Sequence, residues 1–469
     1  MTRAGRESER EPPDARPGLP VRIWRSVFRS TLHPETERER KRVVLDHLVL
    51  HARPVRLPAR TMKFTHTWGL GGMSLVLFTL LLLTGVLLMF VYEPVPAGAH
   101  ASVLRLQTDV RFGQFVRNIH HWSANLLIFV AVLHLLRVYF TGGFHGVRQF
   151  NWVIGLLLLV AILVAAFTGY LLPWDQLSYW AITISTAMIG YVPGIGAWLQ
   201  RSVRGGEEIG GATLLNFYTL HTTLIPALLI LLMAFHFWRV RKAGGVVLPR
   251  GVDEEPEGKP ASVLSFPNLL LREFAVALIL VAFVLAYSVA LDARLGEAAN
   301  PGMSPNPTKA PWYFMGVQEL LLHFHPLFAV VIGPTLAAVA LILIPYLTYD
   351  PEQAGPWFLS ATGRRTASVA AAIALVATPL WVVLDEFVLD PAARLPGLPA
   401  AISNGLLPFA VVLVALWGLY VAWRRRSGAT RGEALQALFV LLFVTFSVLT
   451  ATGVWFRGAG MALMWPWDV

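Results

Sequence analysis

His120 and His134 lie fourteen residues apart in one apolar run, RNIHHWSANLLIFVAVLHLLR, from Arg117 to Arg137. His221 and His236 lie fifteen apart in a second, FYTLHTTLIPALLILLMAFHFWRVR, from Phe217 to Arg241. Ionisable side chains inside apolar spans are costly and usually functional. On a helix, fourteen residues make about 3.9 turns and a rise of about 21 Å, so the two imidazoles share a face. Two antiparallel helices with these spacings bring the histidines together in two pairs, one near each membrane surface. Opposed neutral imidazoles can ligate haem iron axially. The expected arrangement is therefore two bis-histidine haem b groups, His120 with His221 at the outer surface and His134 with His236 at the inner. A lone helical histidine is more often a hydrogen-bonded structural residue; four at matched spacing are far more specific. His121 competes with His120, but its spacing of thirteen to His134 turns it about 140° away.

Four glycines repeat the spacing. Gly71 and Gly85 are fourteen apart in one apolar run, and Gly155 and Gly169 are fourteen apart in another. A flat macrocycle pressed against a helix needs a contact residue without a side chain. Helix directions place Gly85 and Gly169 at the outer pair, and Gly71 and Gly155 at the inner. Small-residue helix packing is the alternative reading. Arg117 and Arg137 each lie one turn toward the surface from a ligand, where haem propionates would point; snorkelling is the alternative. Arg241 and Lys242, just past His236, would hold propionates or an anionic quinone, or follow charge topology.

The elements that must position these residues are membrane spans. The chain has 469 residues, 55% hydrophobic and 14% charged, which describes a polytopic membrane protein. Nine spans are expected near 66–92, 116–140, 150–172, 218–240, 270–291, 326–348, 367–388, 405–424 and 433–456. The fold class is all-α, with a four-helix bundle holding the haems. The net charge of +10 admits nucleic acid or anionic lipid as partner. Its distribution speaks for topology instead: with the N-terminus inside, 29 of the 38 Lys and Arg fall on the inner side. No nucleic-acid partner is expected; the C-terminus is expected outside. Residues 1–65 form a basic cytoplasmic arm, disordered over 1–20 and then interfacial, without a secretory signal. Residues 66–243 form the dihaem domain, 244–266 a linker, 267–390 a second domain and 391–469 extra helices. The absence of cysteine excludes disulfides, cysteine-ligated clusters and thioether-attached haem in this chain.

The segments RNIHHWSANLLIFVAVLHLLRVYFTGGF, GYLLPWDQLSYWA and FYTLHTTLIPALLILLMAFHFWRVRKAGG resemble the cytochrome b subunit of cytochrome bc complexes, in detail the chloroplast-type short form. NPTKAPWYFMGVQELL resembles the subunit IV part of the same family. The resemblance covers roughly residues 60–390. It implies a subunit of a bacterial cytoplasmic-membrane quinol–cytochrome c reductase, homodimeric as a complex, with a Rieske iron–sulfur protein, a c-type cytochrome, quinone and membrane lipid as partners. It implies quinol oxidation outside and quinone reduction inside. A dihaem anchor of another quinone-linked oxidoreductase is the rival, and a transporter without haem a third class.

The chain departs from the family in four respects. Pro311 stands where the family has the glutamate of Pro-Glu-Trp-Tyr, ahead of Trp312 and Tyr313. Asn216 stands where an arginine is frequent. No cysteine is present to attach an extra haem. The halves are fused and continue beyond residue 390. The missing glutamate is weakly associated with a low-potential quinone such as menaquinone. Quinol oxidation releases protons, and an acceptor must lie within hydrogen-bond reach. Glu319 is the expected substitute, with Asp175, His323 and His325 as weaker candidates; Gln318 would hydrogen-bond quinol without acting as a base.

Overall fold

The computed structural model describes residues 35–46, 54–251, 261–349, 354–389 and 395–468. The segment expected to be disordered, 1–20, lies outside the described residues, as do most of the interfacial segment and the centre of the linker. A helix, α1 (Glu37–Asp46), falls within the interfacial segment. Beyond it, Arg56–Pro58 pairs antiparallel with Ser262–Leu264, so the end of the linker returns to the basic arm.

Nine helices among the described residues are long and apolar enough to cross a membrane. In lipid every backbone amide needs an internal partner, and a helix supplies one within its own segment. The first is α2 (Leu70–Met89). A surface helix, α3 (Pro96–Thr108), leads to α4 (Gly113–Phe140), which carries His120 and His134. Then come α5 (Gln149–Leu171), two surface helices, α6 (Gln176–Ile189) and α7 (Gly196–Arg204), and α8 (Gly211–Lys242), which carries His221 and His236. The fifth span is α9 (Asn268–Ala290). A short helix, α10 (Trp312–His323), precedes α11 (Leu327–Tyr346), α12 (Ala361–Leu389), α13 (Ile402–Arg426) and α14 (Arg431–Trp455). The expected spans match these to within several residues at each end.

Helices α2, α4, α5 and α8 enclose one apolar core, including Leu77, Phe78, Leu127, Val130, Ala161 and Leu229, and α9 adds Leu280 and Val284. Both histidine-bearing helices are thereby faced by a glycine-bearing one: α2 packs on α4, and α5 on α8. The later helices do not form a separate body. Trp152 of α5 donates to Leu341 O of α11 at 2.7 Å, and Gln436 of α14 donates to Tyr139 O of α4 at 3.2 Å.

The C-terminal part of α14 crosses α10 at close range. A Cβ built on Gly316 would lie 2.7 Å from Thr450 Oγ1 and from a ring carbon of Phe446. Gly316→Leu is therefore expected to overpack the crossing and cost about 1–3 kcal/mol. A thermal unfolding scan of the purified membrane protein checks this, and an unchanged midpoint would contradict the crossing.

Candidate functional site: two histidine pairs in the bundle

The structure brings the four histidines together in two pairs. The His120 and His221 ring centres are 6.1 Å apart, and those of His134 and His236 are 6.4 Å apart. The planes cross at 70° and 78°. Two metal–nitrogen bonds of about 2 Å, plus roughly 1 Å from each nitrogen to its ring centre, come to about 6 Å. The separation therefore suits one metal ion between each pair.

Local structure explains why a spacing of fourteen on α4 can meet fifteen on α8. Residues Leu220–Leu224, which include His221, form a π-helical turn just ahead of Pro226. Such a turn accommodates one extra residue in an α-helix and recurs at functional sites. It returns His221 to the register of a fourteen-residue repeat.

Each imidazole rests against one of the four glycines. A Cβ on Gly85 would lie 3.4 Å from His120 Cε1, and one on Gly71 would lie 3.4 Å from His134 Cε1. On Gly155 it would lie 3.7 Å from His236 Cε1, and on Gly169 it would overlap His221 Cε1. The expected pairing of glycines with histidines is what the structure shows, but the physical reason differs. The glycines make room for the edges of the histidine rings, where a contact with a flat group was expected.

Hydrogen bonds fix the tautomer at one level. His221 Nδ1 donates to Ala165 O at 2.9 Å. The Thr84 hydroxyl donates to Leu80 O at 2.6 Å, so His120 Nδ1 is the donor in its 2.9 Å bond to Thr84 Oγ1. A donor at Nδ1 leaves the Nε2 lone pair for a metal. Two such donors do not complete a coordination sphere. Among the described residues no three of His, Cys, Asp and Glu gather as a metal site. A macrocycle would supply the remaining donors, and opposed imidazole pairs at this separation fit haem.

The charged residues behave differently from expectation. Arg117 donates to Ala293 O at 2.5 Å and to Arg294 O at 2.9 Å, and Asn118 donates to Ser288 O and Asp292, each at 2.8 Å. Arg117 therefore clamps the segment after α9 onto α4, where a role toward propionates was expected. Arg137 is buried and donates from Nε to His66 O at 3.0 Å, with His66 Nε2 2.6 Å from its Nη2. Burial and the Arg137 charge push His66 down to about 4, so its ring stays neutral beside the guanidinium. Sequence reasoning missed His66; its signal was a histidine at the foot of the first span. Arg148 also reaches the His134 end, where its Nε is buried without a partner. Among the described residues no carboxylate pairs with Arg137 or Arg148, so this end is suited to an anion. Lys242 lies 5.8 Å from the centre of the Trp238 ring, which holds it at the periphery. Arg241 lies beside it in the last turn of α8. His121 is exposed and stacks edge-on against Trp122 at 4.8 Å.

At the His120 end the two long loops are stitched together. Asp175 caps α6 by accepting from Ser178 N at 2.9 Å and also accepts from Gly296 N at 3.0 Å. Both of its oxygens are engaged by backbone, so it orders the loops. Trp312 Nε1 donates to Asn125 Oδ1 of α4 at 2.7 Å. Tyr313 packs on Phe314, whose ring lies 6.1 Å from Phe167 of α5. Burial pushes the Tyr313 phenol up, so it remains a hydrogen-bond donor. Gln318 bonds back to Ala310 N and Thr308 O, each at 2.7 Å, and so shapes the turn before α10 instead of facing a ligand.

Glu319 is the principal correction. Its side chain is 0% exposed and bound to Arg457 at 2.6 Å. Burial by itself would raise its carboxyl, but His323 and Arg457 hold it below the usual carboxylate range. It faces α14 and the tail, and its two strong donors make it a poor base for a substrate proton. Arg457 was invisible to sequence reasoning, because an arginine just past an apolar run ordinarily marks the membrane surface.

The comparisons agree with this geometry. Residues 57–244 match the family model Cytochrome b/b6/petB. Cytochrome b6 of Synechococcus sp. (strain CC9902) is 43% identical over 175 residues, which are 37% of this chain and 80% of that protein. Cytochrome b6 of Chlamydomonas reinhardtii is also 43% identical over 175 residues, 81% of its length. A solved structure titled "Hyperthermophilic respiratory Complex III" superposes with a TM-score of 0.59 at 22% identity, covering 83% of this chain and 90% of its own, and shows a shared fold. With two glycine-backed histidine pairs in one bundle and this degree of likeness to cytochrome b6, the chain belongs to the cytochrome b/b6 family, whose members carry haem b.

Proposed function

We propose that this chain is the dihaem cytochrome b subunit of a quinol-oxidising bc-type complex in a bacterial cytoplasmic membrane. The observation that carries the reading is the repetition of one arrangement, an opposed histidine pair with a glycine behind each ring, at two depths of one bundle. The two levels are about 21 Å apart along α4. His120 and His221 hold the outer haem, and His134 and His236 the inner one. Bound there, the haems supply one-electron transfer across the membrane.

The protein's own work is positional. Thr84 and Ala165 orient the outer ligands, and the glycines let the helices close on their edges. Arg137, Arg148, Arg241 and Lys242 supply positive charge for propionates or an anionic quinone at the inner end. At the outer end, Trp312 is tied to α4 and Tyr313 faces α5, so quinol binds between them and the stitched loops. Tyr313 donates a hydrogen bond to the bound quinol. Since Asp175 and Glu319 are both engaged, the released protons pass to water or to a partner's base. One electron would leave for a Rieske iron–sulfur protein and then a c-type cytochrome, and the other would pass to the inner end, where two such electrons and two protons make one quinol from quinone. The replacement of the family glutamate by Pro311 favours a low-potential quinol such as menaquinol. The N-terminus lies in the cytoplasm, the C-terminus outside, and the complex is a homodimer.

A pyridine haemochrome assay of the purified chain is expected to give two haem b per polypeptide. His221→Ala should lose the outer haem and His236→Ala the inner one; a wild type with no b-type spectrum would end the reading. The glycines offer a graded test. Gly169→Val places branched carbons where His221 sits and should abolish the outer haem signal. Gly155→Ala adds only ordinary contact with His236 and should leave both signals in place. Equal losses in the two variants would show that the glycines serve helix packing in general.

A further inference from the structure

The helices after residue 390 have no role in the function as described, yet the last of them lies along the whole outer-site segment. Lys309 Nζ donates to Val454 O at 3.0 Å, just ahead of Trp312. Gly460 N donates to Asn306 Oδ1 at 2.5 Å. A Cβ on Gly453 would overlap Met315, and one on Gly316 would meet Phe446 and Thr450. Each glycine leaves room for a larger side chain of the opposite helix, Met315 in one case and Phe446 in the other, so the two backbones approach closely.

The contact ends in a buried ionic cluster. Arg457 is 0% exposed. It donates from Nη2 to Glu319 Oε1 at 2.6 Å, from Nε to both Glu319 oxygens at 3.0 and 3.1 Å, and from Nη1 to Glu386 at 2.9 Å and Met461 O at 3.0 Å. His323 bridges the other side, with Nε2 3.3 Å from Glu319 and Nδ1 2.7 Å from Asp385. The groups facing one another are thus Glu319 and His323 from α10, Asp385 and Glu386 from the end of α12, and Arg457 beyond α14. Glu319 reaches no solvent, whereas the side chains of Asp385 and Glu386 are 13% and 27% exposed.

We propose that Arg457 is a positioning residue for the outer quinol site, acting through Glu319 and His323 to hold α10, and with it Trp312 and Tyr313, against α4 and α5. The inference rests on the outer-site reading above and gives the C-terminal helices a function. Trp312 is anchored to α4 at the start of α10, and the ionic cluster anchors the end of the same helix. Removing either charge from a buried pair leaves the other uncompensated, which is far costlier than losing a surface bridge. Burial disfavours a charged His323, but its bonds to Asp385 and Glu319 raise it to about 9. Below that pH the imidazolium donates to both Glu319 and Asp385 and so ties α10 to α12; above it the charge and one of the two bonds are lost.

The test uses the intact complex, a reduced short-chain naphthoquinol as substrate and reduction of the b-type chromophore as readout. Arg457→Gln is expected to raise the quinol KM about tenfold with haem content intact, and Arg457→Lys to restore part of the loss. Hydrogen exchange in the peptide spanning 306–323 should speed up in Arg457→Gln while the peptide spanning 117–137 stays protected. The activity of the wild type should fall as pH passes about 9. Asp385→Asn, which leaves the Arg457–Glu319 pair in place, should move that limb to lower pH by about one unit with KM unchanged below it. Unchanged KM and unchanged exchange in Arg457→Gln would overturn the proposal, as would an alkaline limb that Asp385→Asn does not move. A wild type that does not oxidise quinol would instead refute the outer-site reading, and the exchange measurement would then decide the clamp alone.

Discussion

The gap between two opposed imidazoles sets the terms for everything around it. Ring centres 6.1 and 6.4 Å apart fix how far α4 stands from α8 at two depths. With the rings aimed at each other, the outer edge of each must go somewhere, and it goes against a neighbouring helix. That neighbour can approach only where it lacks a side chain. Gly71 and Gly85 on α2, and Gly155 and Gly169 on α5, follow from this condition, and so does the adjacency of α2 with α4 and of α5 with α8. The fourfold bundle is the smallest arrangement that gives every ligand ring such a backing.

Lipid imposes the second condition. A polar side chain inside the membrane must find a partner. Thr84, Thr168 and Ser74 bond back to carbonyls one turn earlier, so they carry no cost, and Thr84 goes on to accept from His120. Arg117 and Asn118 sit where the bundle meets the surface and spend their donors on the segment after α9. In this way the bundle organises the loop that covers it. Asp175 does the same from the other side by capping α6 and accepting from Gly296. The surface at the His120 end is thereby built from backbone groups that polar and charged side chains hold in place.

The C-terminal helices answer to a different balance. A buried cluster of two cations and three carboxylates is expensive to desolvate, and it offers little net stability over an apolar packing of the same volume. Its value lies in geometry. Arg457 fits Glu319 by several hydrogen bonds in a fixed plane, which an apolar contact would not specify. The segment that it meets, from Asn306 to His323, is also held by the bond of Trp312 to Asn125, by that of Lys309 to Val454 O and by the turn contacts of Gln318.

Much of this was legible in the chain itself. Histidine and glycine spacings are properties of a helix, so the spans and the pairing of the four histidines follow from periodicity. The expected orientation of the spans is likewise a reading of the chain alone: it depends on how many cationic side chains lie between them, not on how they pack. The fifteen-residue interval on α8 was readable only approximately, because a π-turn is a local choice that Pro226 and the neighbouring helix make together. The roles of Arg117, Glu319, Gln318 and Asp175 were not readable, since each depends on which atoms from a distant segment arrive opposite. Glu319 stands 138 residues from Arg457 in the chain, and no spacing rule links them. The sequence determined the helices, the spacing of the paired histidines and the family; only tertiary packing decided which charges face one another, because a buried charge takes its function from the partner that folding brings to it.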